Sequence, residues 1–220
     1  SYLQAQLVPL GSLRAAQLNR QVFRFIRDAA EEASAELAAR YGEPEVLDGY
    51  GRRNATLLAV APTTSSSFIL GQVSPSIEPL RSNYYVRDLA KSTTTFRNPA
   101  LQQVLAEKDA DTPATWRSIL EYDGSVQHLD VLSNEEKSVF ATFPEVSQLD
   151  LVVQAGQRQE FIDQGQSLNL MVHPDTPTAD LNRLHLEAWE RGVKSLYYQH
   201  SMNAAQAFNR DLLTCSACEA

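Results

Sequence analysis

"ATLLAVAPTTSSS", Ala55 to Ser67, runs from a nearly continuous apolar stretch through a proline into five consecutive hydroxyl residues. A short all-apolar run is the pattern of a strand buried on both faces, as in a parallel sheet. Pro62 ends it, and the string Thr63 to Ser67 ahead of Phe68, Ile69 and Leu70 reads as a turn into a helix N-terminus. A buried strand feeding a helix indicates an α/β layout, in which loops at strand ends carry the chemistry.

The flanks extend the pattern. From Leu13 to Tyr41, apolar residues at Leu18, Val22, Phe25, Ile26, Ala29, Ala33 and Leu37 fall at helical spacing, with Ser12 as cap and Gly42 as stop. Downstream, "SNYYVRDLA" and "TTTFRN" read as strands joined by a charged turn. Helices are expected at about Pro99 to Lys108, Pro113 to Tyr122, Asn134 to Phe143 and Gln148 to Asp163. "QSLNLMVH" alternates as a strand does, "TADLNRLHLEAWERG" is expected to be a capped helix ending at Gly192, and "KSLYYQ" to be a further strand. From His200 onward periodicity fades, so the expected organisation is an α/β unit over 1–199 and a mobile tail over 200–220.

Composition narrows the function classes. With 43% apolar and 21% charged residues in 220, the chain has the makings of a packed core. A formal net charge of -8 argues against a general nucleic-acid or anionic-membrane surface, which needs clustered Lys and Arg. No apolar run approaches the roughly 18 residues of a spanning helix and no signal arrangement opens the chain, so the cytoplasm is the expected location. Cys215 and Cys218, the only two cysteines, lie at the very end and cannot staple the fold. The chain opens on Ser1 rather than Met, as a piece of something larger would.

Three stretches carry residues suited to chemistry. "APTTSSS" has two readings: one hydroxyl caps the helix and the rest are merely polar, or exposed N–H groups and hydroxyls together hold an anion without adding charge. Tyr197 and Tyr198 sit side by side in "KSLYYQ"; neighbours on a strand face opposite ways, so one ring in the core and one outside is the plain reading. Adjacent phenols can also relay an electron and a proton. "TCSAC" is either a redox pair or half a zinc site. His128, His173, His185 and His200 lack finger spacing, which favours a thiol shuttle.

Taken in order, "YGRRNATLLAVAPTTSSSFILGQVSPSIEPLRSNYYVRDLAK", "FIDQGQSLNL", "AWERGVKSLYYQ" and "CSACEA" closely resemble the C-terminal part of the large, alpha subunit of class I ribonucleotide reductase, from about Leu18 to Ala220. The resemblance implies the C-terminal part of a ten-stranded α/β barrel, built of two five-stranded halves around a finger loop. It implies that Pro62, Thr63, Thr64, Ser65, Ser66 and Ser67 cradle the phosphates of a ribonucleoside diphosphate. It implies that Tyr197 and Tyr198 pass a radical, through a closely stacked and locally distorted pair, and that Cys215 and Cys218 re-reduce the active site. The implied partners are a small beta subunit, whose metal centre supplies the radical, and thioredoxin or glutaredoxin. No cofactor or metal bound by this chain itself is implied, nor any nucleic acid or membrane.

The departures from that family matter equally. Its active site needs a radical cysteine and a reducing cysteine pair, and with only Cys215 and Cys218 this chain has none of the three. The expectation is therefore a fragment, inactive alone, completed by an N-terminal fragment of the alpha subunit. Ser1 is compatible with an intein junction, a trimmed tag or a protease cut. The alternative is a non-catalytic nucleotide-binding or regulatory fragment of the same family.

Overall fold

The computed structural model describes residues 1–71, 73–89 and 92–201. A one-turn helix, α1 (Tyr2–Ala5), precedes α2 (Leu13–Tyr41), 29 residues long. The Ser12 hydroxyl accepts the Ala15 N–H at 3.1 Å to start α2, and Gly42, at φ 77°, ends it. There follow α3 (Thr64–Ile69), β1 (Tyr84–Leu89), β2 (Ser92–Arg97), α4 (Pro99–Glu107), α5 (Pro113–Glu121), α6 (Asn134–Val139), α7 (Gln148–Gln159), β3 (Leu170–Val172), α8 (Thr178–Glu190) and β4 (Gln199–Ser201).

Two apolar clusters organise these elements. In the first, β1 and β2 form an antiparallel hairpin, in register from Tyr84 opposite Arg97 to Leu89 opposite Ser92. Beside it, α4, α5 and α6 close over Leu101, Leu105, Trp116, Ile119 and Phe140, all fully buried. Trp116 donates its indole N–H to Asp111 at 2.6 Å, so its ring is buried without stranding a polar atom.

The hairpin's roots are locked by buried amides. Asn83 donates to the carbonyls of Gly124 (2.9 Å) and Phe140 (2.8 Å), and accepts from Asn98 at 2.8 Å. Asn98 also reaches Gln4 at 3.0 Å and caps α4 through the Ala100 N–H. One asparagine thus ties the hairpin to the chain on either side of α6.

The second cluster, Val152, Ala155, Leu168, Leu170, Val172, Ala188 and Val193, lies between α7, α8 and a set of parallel segments. β3 pairs with β4 in parallel, Leu170 opposite Gln199 and Val172 opposite Ser201. On the other side, Val60 bridges Gln166 in parallel. Residues 164–172 are therefore the middle of three parallel segments, with 57–60 and 197–201 as flanks.

Several expectations need correction. Ala55–Pro62 is not a strand buried on both faces: Leu57, Leu58 and Val60 are half-buried, Ala59 is exposed, and only Val60 forms a ladder bridge. Among the described residues it forms no second ladder bridge. Regular pairing of the "KSLYYQ" strand begins only at Gln199 and continues to Ser201, past the expected 199/200 boundary. α6 stops at Val139, and α7 at Gln159, whose side-chain amide donates to the carbonyls of Ile162 (2.8 Å) and Gln164 (2.9 Å) and so holds the turn. α8 starts after Pro177 without a side-chain cap.

Much of α2 has no cover. Ala15, Ser34 and Ala38 are buried, whereas Leu13, Phe25, Ile26 and Leu37 are exposed, Phe25 by 75%. Apolar residues left open along one helix mark a surface that another element covers.

Replacing Asn83 by Ala should leave two buried carbonyls and the Asn98 amide short of partners, at a cost of about 3 kcal/mol. Urea denaturation reads this as a lowered midpoint with an unchanged slope. An unchanged midpoint would show that the amide network carries no stability.

Candidate active site

The parallel segments bring two of the three sequence motifs to either side of one strand. The hydroxyl-rich loop leaves the sheet just after Val60, which donates its N–H to the Gly165 carbonyl (3.2 Å) and accepts from the Ser167 N–H (2.8 Å). One residue past Ser167 on the same middle segment, the Leu168 carbonyl accepts the Tyr197 N–H at 2.8 Å from the opposite side. The loop root and the tyrosine pair therefore flank one strand. Cys215 and Cys218 lie outside the described residues.

The approach to the loop is fixed by Asp163. Its carboxylate oxygens accept the N–H groups of Leu57 (2.8 Å) and Leu58 (2.9 Å), and Arg27 of α2 lies 3.6 Å away. Burial by itself would raise this carboxyl's pKa. The Leu58 and Leu57 hydrogen bonds and the Arg27 charge outweigh burial and hold it below the ordinary aspartate value.

Within the loop, Pro62, Thr63 and Ser66 are exposed and Ser67 is buried. The Thr63 hydroxyl does not cap α3. It donates to the Pro75 carbonyl at 3.0 Å, the same oxygen that accepts the Thr63 N–H at 3.1 Å. The first intrahelical bond runs from the Ser67 N–H to the Thr63 carbonyl at 2.9 Å. The N–H groups of Thr64, Ser65 and Ser66 thus occupy the first turn, where a helix offers no internal acceptor. The side chains of Thr64 and Ser65 are outside what the structure describes.

Tyr197 and Tyr198 are both half-exposed, at 50% and 58%. Their ring centroids are 4.2 Å apart with planes at 54°, and the hydroxyl oxygens are 3.5 Å apart with Tyr197 as donor. The plain strand reading, one ring inward and one outward, does not hold. That hydrogen bond raises the Tyr197 phenol's pKa and keeps it protonated. The His200 ring stands 6.0 Å from that of Tyr198; burial first, then Arg81, lowers its pKa, with Glu78 opposing.

Three residues that the sequence reading assigned no role position this site: Asp163, Glu78 and Asn169. Glu78 is 2% exposed, and its carboxylate accepts the Asn169 N–H. The available signal was Asn169 as a lone polar residue among the buried alternate positions Leu168, Leu170 and Val172. Arg158 is also buried, bonded to Gln166 at 3.0 Å, and lines a cavity of about 430 Å³ between α2, α7 and residues 74–79. Burial lowers its pKa to about 10, with Glu78 opposing, so it stays a cation. Among the described residues no cluster of three His, Cys, Asp or Glu side chains could hold a metal, and no helix is long and apolar enough to cross a membrane.

The parallel segments, with the hydroxyl-rich loop on one flank and the tyrosine pair on the other, lie largely within a stretch that matches a known family. Residues 43–199 match the family described as "Ribonucleotide reductase, barrel domain". The ribonucleoside-diphosphate reductase large subunit of Invertebrate iridescent virus 3 is 42% identical over 204 residues, covering 91% of this chain and 32% of that protein. The putative large subunit of Frog virus 3 is 38% identical over 226 residues, covering 99% and 40%. The solved alpha subunit of the Actinobacillus ureae class Id ribonucleotide reductase superposes with a TM-score of 0.86 at 56% identity, over 93% of this chain and 37% of that one. The chain belongs to the ribonucleotide reductase barrel-domain family, and its fold is part of that α/β barrel. It spans about a third of the length of the large subunits it matches.

Because the Asp163 pKa is depressed in the fold, its contribution is complete above the unfolded value of about 3.9 and is lost as pH falls through the lower folded value. The protection of the Leu57 and Leu58 amides, relative to their intrinsic exchange at each pH, should therefore fall on acidification. Asp163→Asn should show fast exchange at these two amides already at neutral pH, without the acid step.

Proposed function

We propose that this chain supplies part of the catalytic machinery of a ribonucleoside-diphosphate reductase: the substrate phosphate cradle, the radical relay and the reducing thiols. The tyrosine pair carries the reading. A phenol is oxidised most easily when its proton has an acceptor, and the Tyr197 hydroxyl already points at that of Tyr198, with rings 4.2 Å apart. One ring loses an electron and a proton while the radical on the other gains them. Half exposure leaves the pair open to a partner on one side, the place for a beta subunit whose metal centre generates the radical.

In the cradle, the first-turn N–H groups of α3 and the exposed Ser66 hydroxyl face the diphosphate, Pro62 opens the turn and Thr63 holds it through the Pro75 carbonyl. This suits a chain of net charge -8, which binds an anion locally rather than by a basic surface. Cys215 and Cys218 act as the shuttle that returns electrons from thioredoxin or glutaredoxin in the cytoplasm, on a tail distinct from the barrel portion.

The open side of Leu57–Val60 and the uncovered face of α2 receive the remaining strands of the barrel, carried by a companion chain or by further sequence of the same subunit. That remainder brings the active-site cysteines that these 220 residues lack. A purely regulatory nucleotide-binding role would need neither the paired phenols nor the terminal thiols.

In the assembled enzyme, Tyr198→Phe should abolish deoxyribonucleotide formation while substrate binding stays within about twofold, a difference of less than roughly 0.5 kcal/mol. Retained turnover would remove the relay assignment. Cys215→Ser should allow about one turnover and then stall with thioredoxin, with small dithiols restoring activity; sustained thioredoxin-driven turnover would remove the shuttle.

A further inference from the structure

In a regular strand, consecutive N–H groups point to opposite sides, and consecutive side chains do the same. Tyr197 and Tyr198 break both rules together. The Tyr197 N–H donates to the Leu168 carbonyl at 2.8 Å, and the next N–H, of Tyr198, turns to the same neighbouring segment, where it donates to the Asn169 side-chain oxygen at 3.1 Å. Regular bonding resumes at once, the Leu170 N–H donating to the Tyr198 carbonyl at 2.9 Å. Two successive donors facing one segment make a bulge-like irregularity, the kind of feature that re-aims a side chain beside a site. The extra donor needs an extra acceptor, and Asn169 supplies one that the backbone ladder does not have.

Asn169 is itself held. Its N–H donates to the buried carboxylate of Glu78, which stands on the segment leading from the phosphate loop to the hairpin. Because the atom facing Tyr198 receives an N–H, it must be the amide oxygen rather than the nitrogen.

We propose that Asn169, fixed by Glu78, is the positioning residue that sets the Tyr197–Tyr198 pair: its side-chain oxygen stands in for a backbone carbonyl, stabilises the irregular backbone and brings two consecutive rings together. The functional importance of this strut rests on the relay reading, but the strut is a geometric claim that can be tested without turnover.

The test uses the full chain with the subunits that co-purify with it. With 3-nitrotyrosine in place of Tyr197, visible absorbance reports the ionisation of that phenol. It should titrate at higher pH than in the same protein carrying Tyr198→Phe, because it donates to the Tyr198 hydroxyl. Adding Asn169→Ala should abolish that upward shift, and Asn169→Asp, which keeps an acceptor oxygen, should restore it. An undiminished shift in Asn169→Ala overturns the proposal. In the unaltered protein, the Tyr197 and Tyr198 amides should both exchange slowly with solvent; a Tyr198 amide exchanging as an open one overturns it even where the Ala variant does not fold. Turnover surviving Tyr198→Phe would remove the relay and leave the strut standing. Loss of the strut with turnover still dependent on Tyr198 would do the reverse.

Discussion

The middle segment of the parallel set, residues 164–172, is bonded on both sides, and what it receives from each flank decides where the candidate site residues stand. From one flank come Leu58 and Val60, delivering the hydroxyl-rich loop; from the other come Tyr197 and Tyr198. Side chains at the segment's two ends add to the backbone ladder: Asp163 takes two N–H groups ahead of the loop, and Asn169 takes one beneath the tyrosines. The buried alternates Leu168, Leu170 and Val172 press the same segment onto α7 and α8. Position and packing therefore meet in a single stretch of nine residues, in which the buried Gln166 also faces α7, donating to the Ala155 carbonyl and accepting from Arg158.

The hairpin lobe obeys a different logic. Its polar core is built of neutral amides, Asn83, Asn98 and Gln4, each satisfied by carbonyls or by one another. Neutral amides can be buried with little penalty once paired, whereas the charged groups near the parallel segments need several partners each. Arg158 combines a side-chain oxygen of Gln166, the Phe23 ring face at 5.8 Å and the field of Glu78.

How far the sequence carried the reading depended on the range of the forces involved. α2 was legible to the residue, since 3.6-residue periodicity, a serine cap and a glycine stop are all local. The hairpin and α4 and α5 were legible for the same reason. Leu57–Val60 was not: only Val60 forms a ladder bridge, and an apolar run carries no local sign of how many strands it pairs with. The tyrosine pair was legible as a motif through family resemblance, while strand alternation alone gave the wrong geometry. What overrode alternation was a side chain 29 residues away in sequence, which no local pattern announces.

The parallel arrangement also has a consequence in time. The bond that seats the loop approach joins Leu58 to Asp163 across 105 residues, whereas every pairing of the hairpin lies within a short span. Closing long loops is entropically slow, and local contacts form first. The intervening lobe can therefore fold as a finished clasp that draws residues 57–60 and 164–172 toward each other, so that the middle parallel segment is among the last parts of the chain to acquire its neighbours.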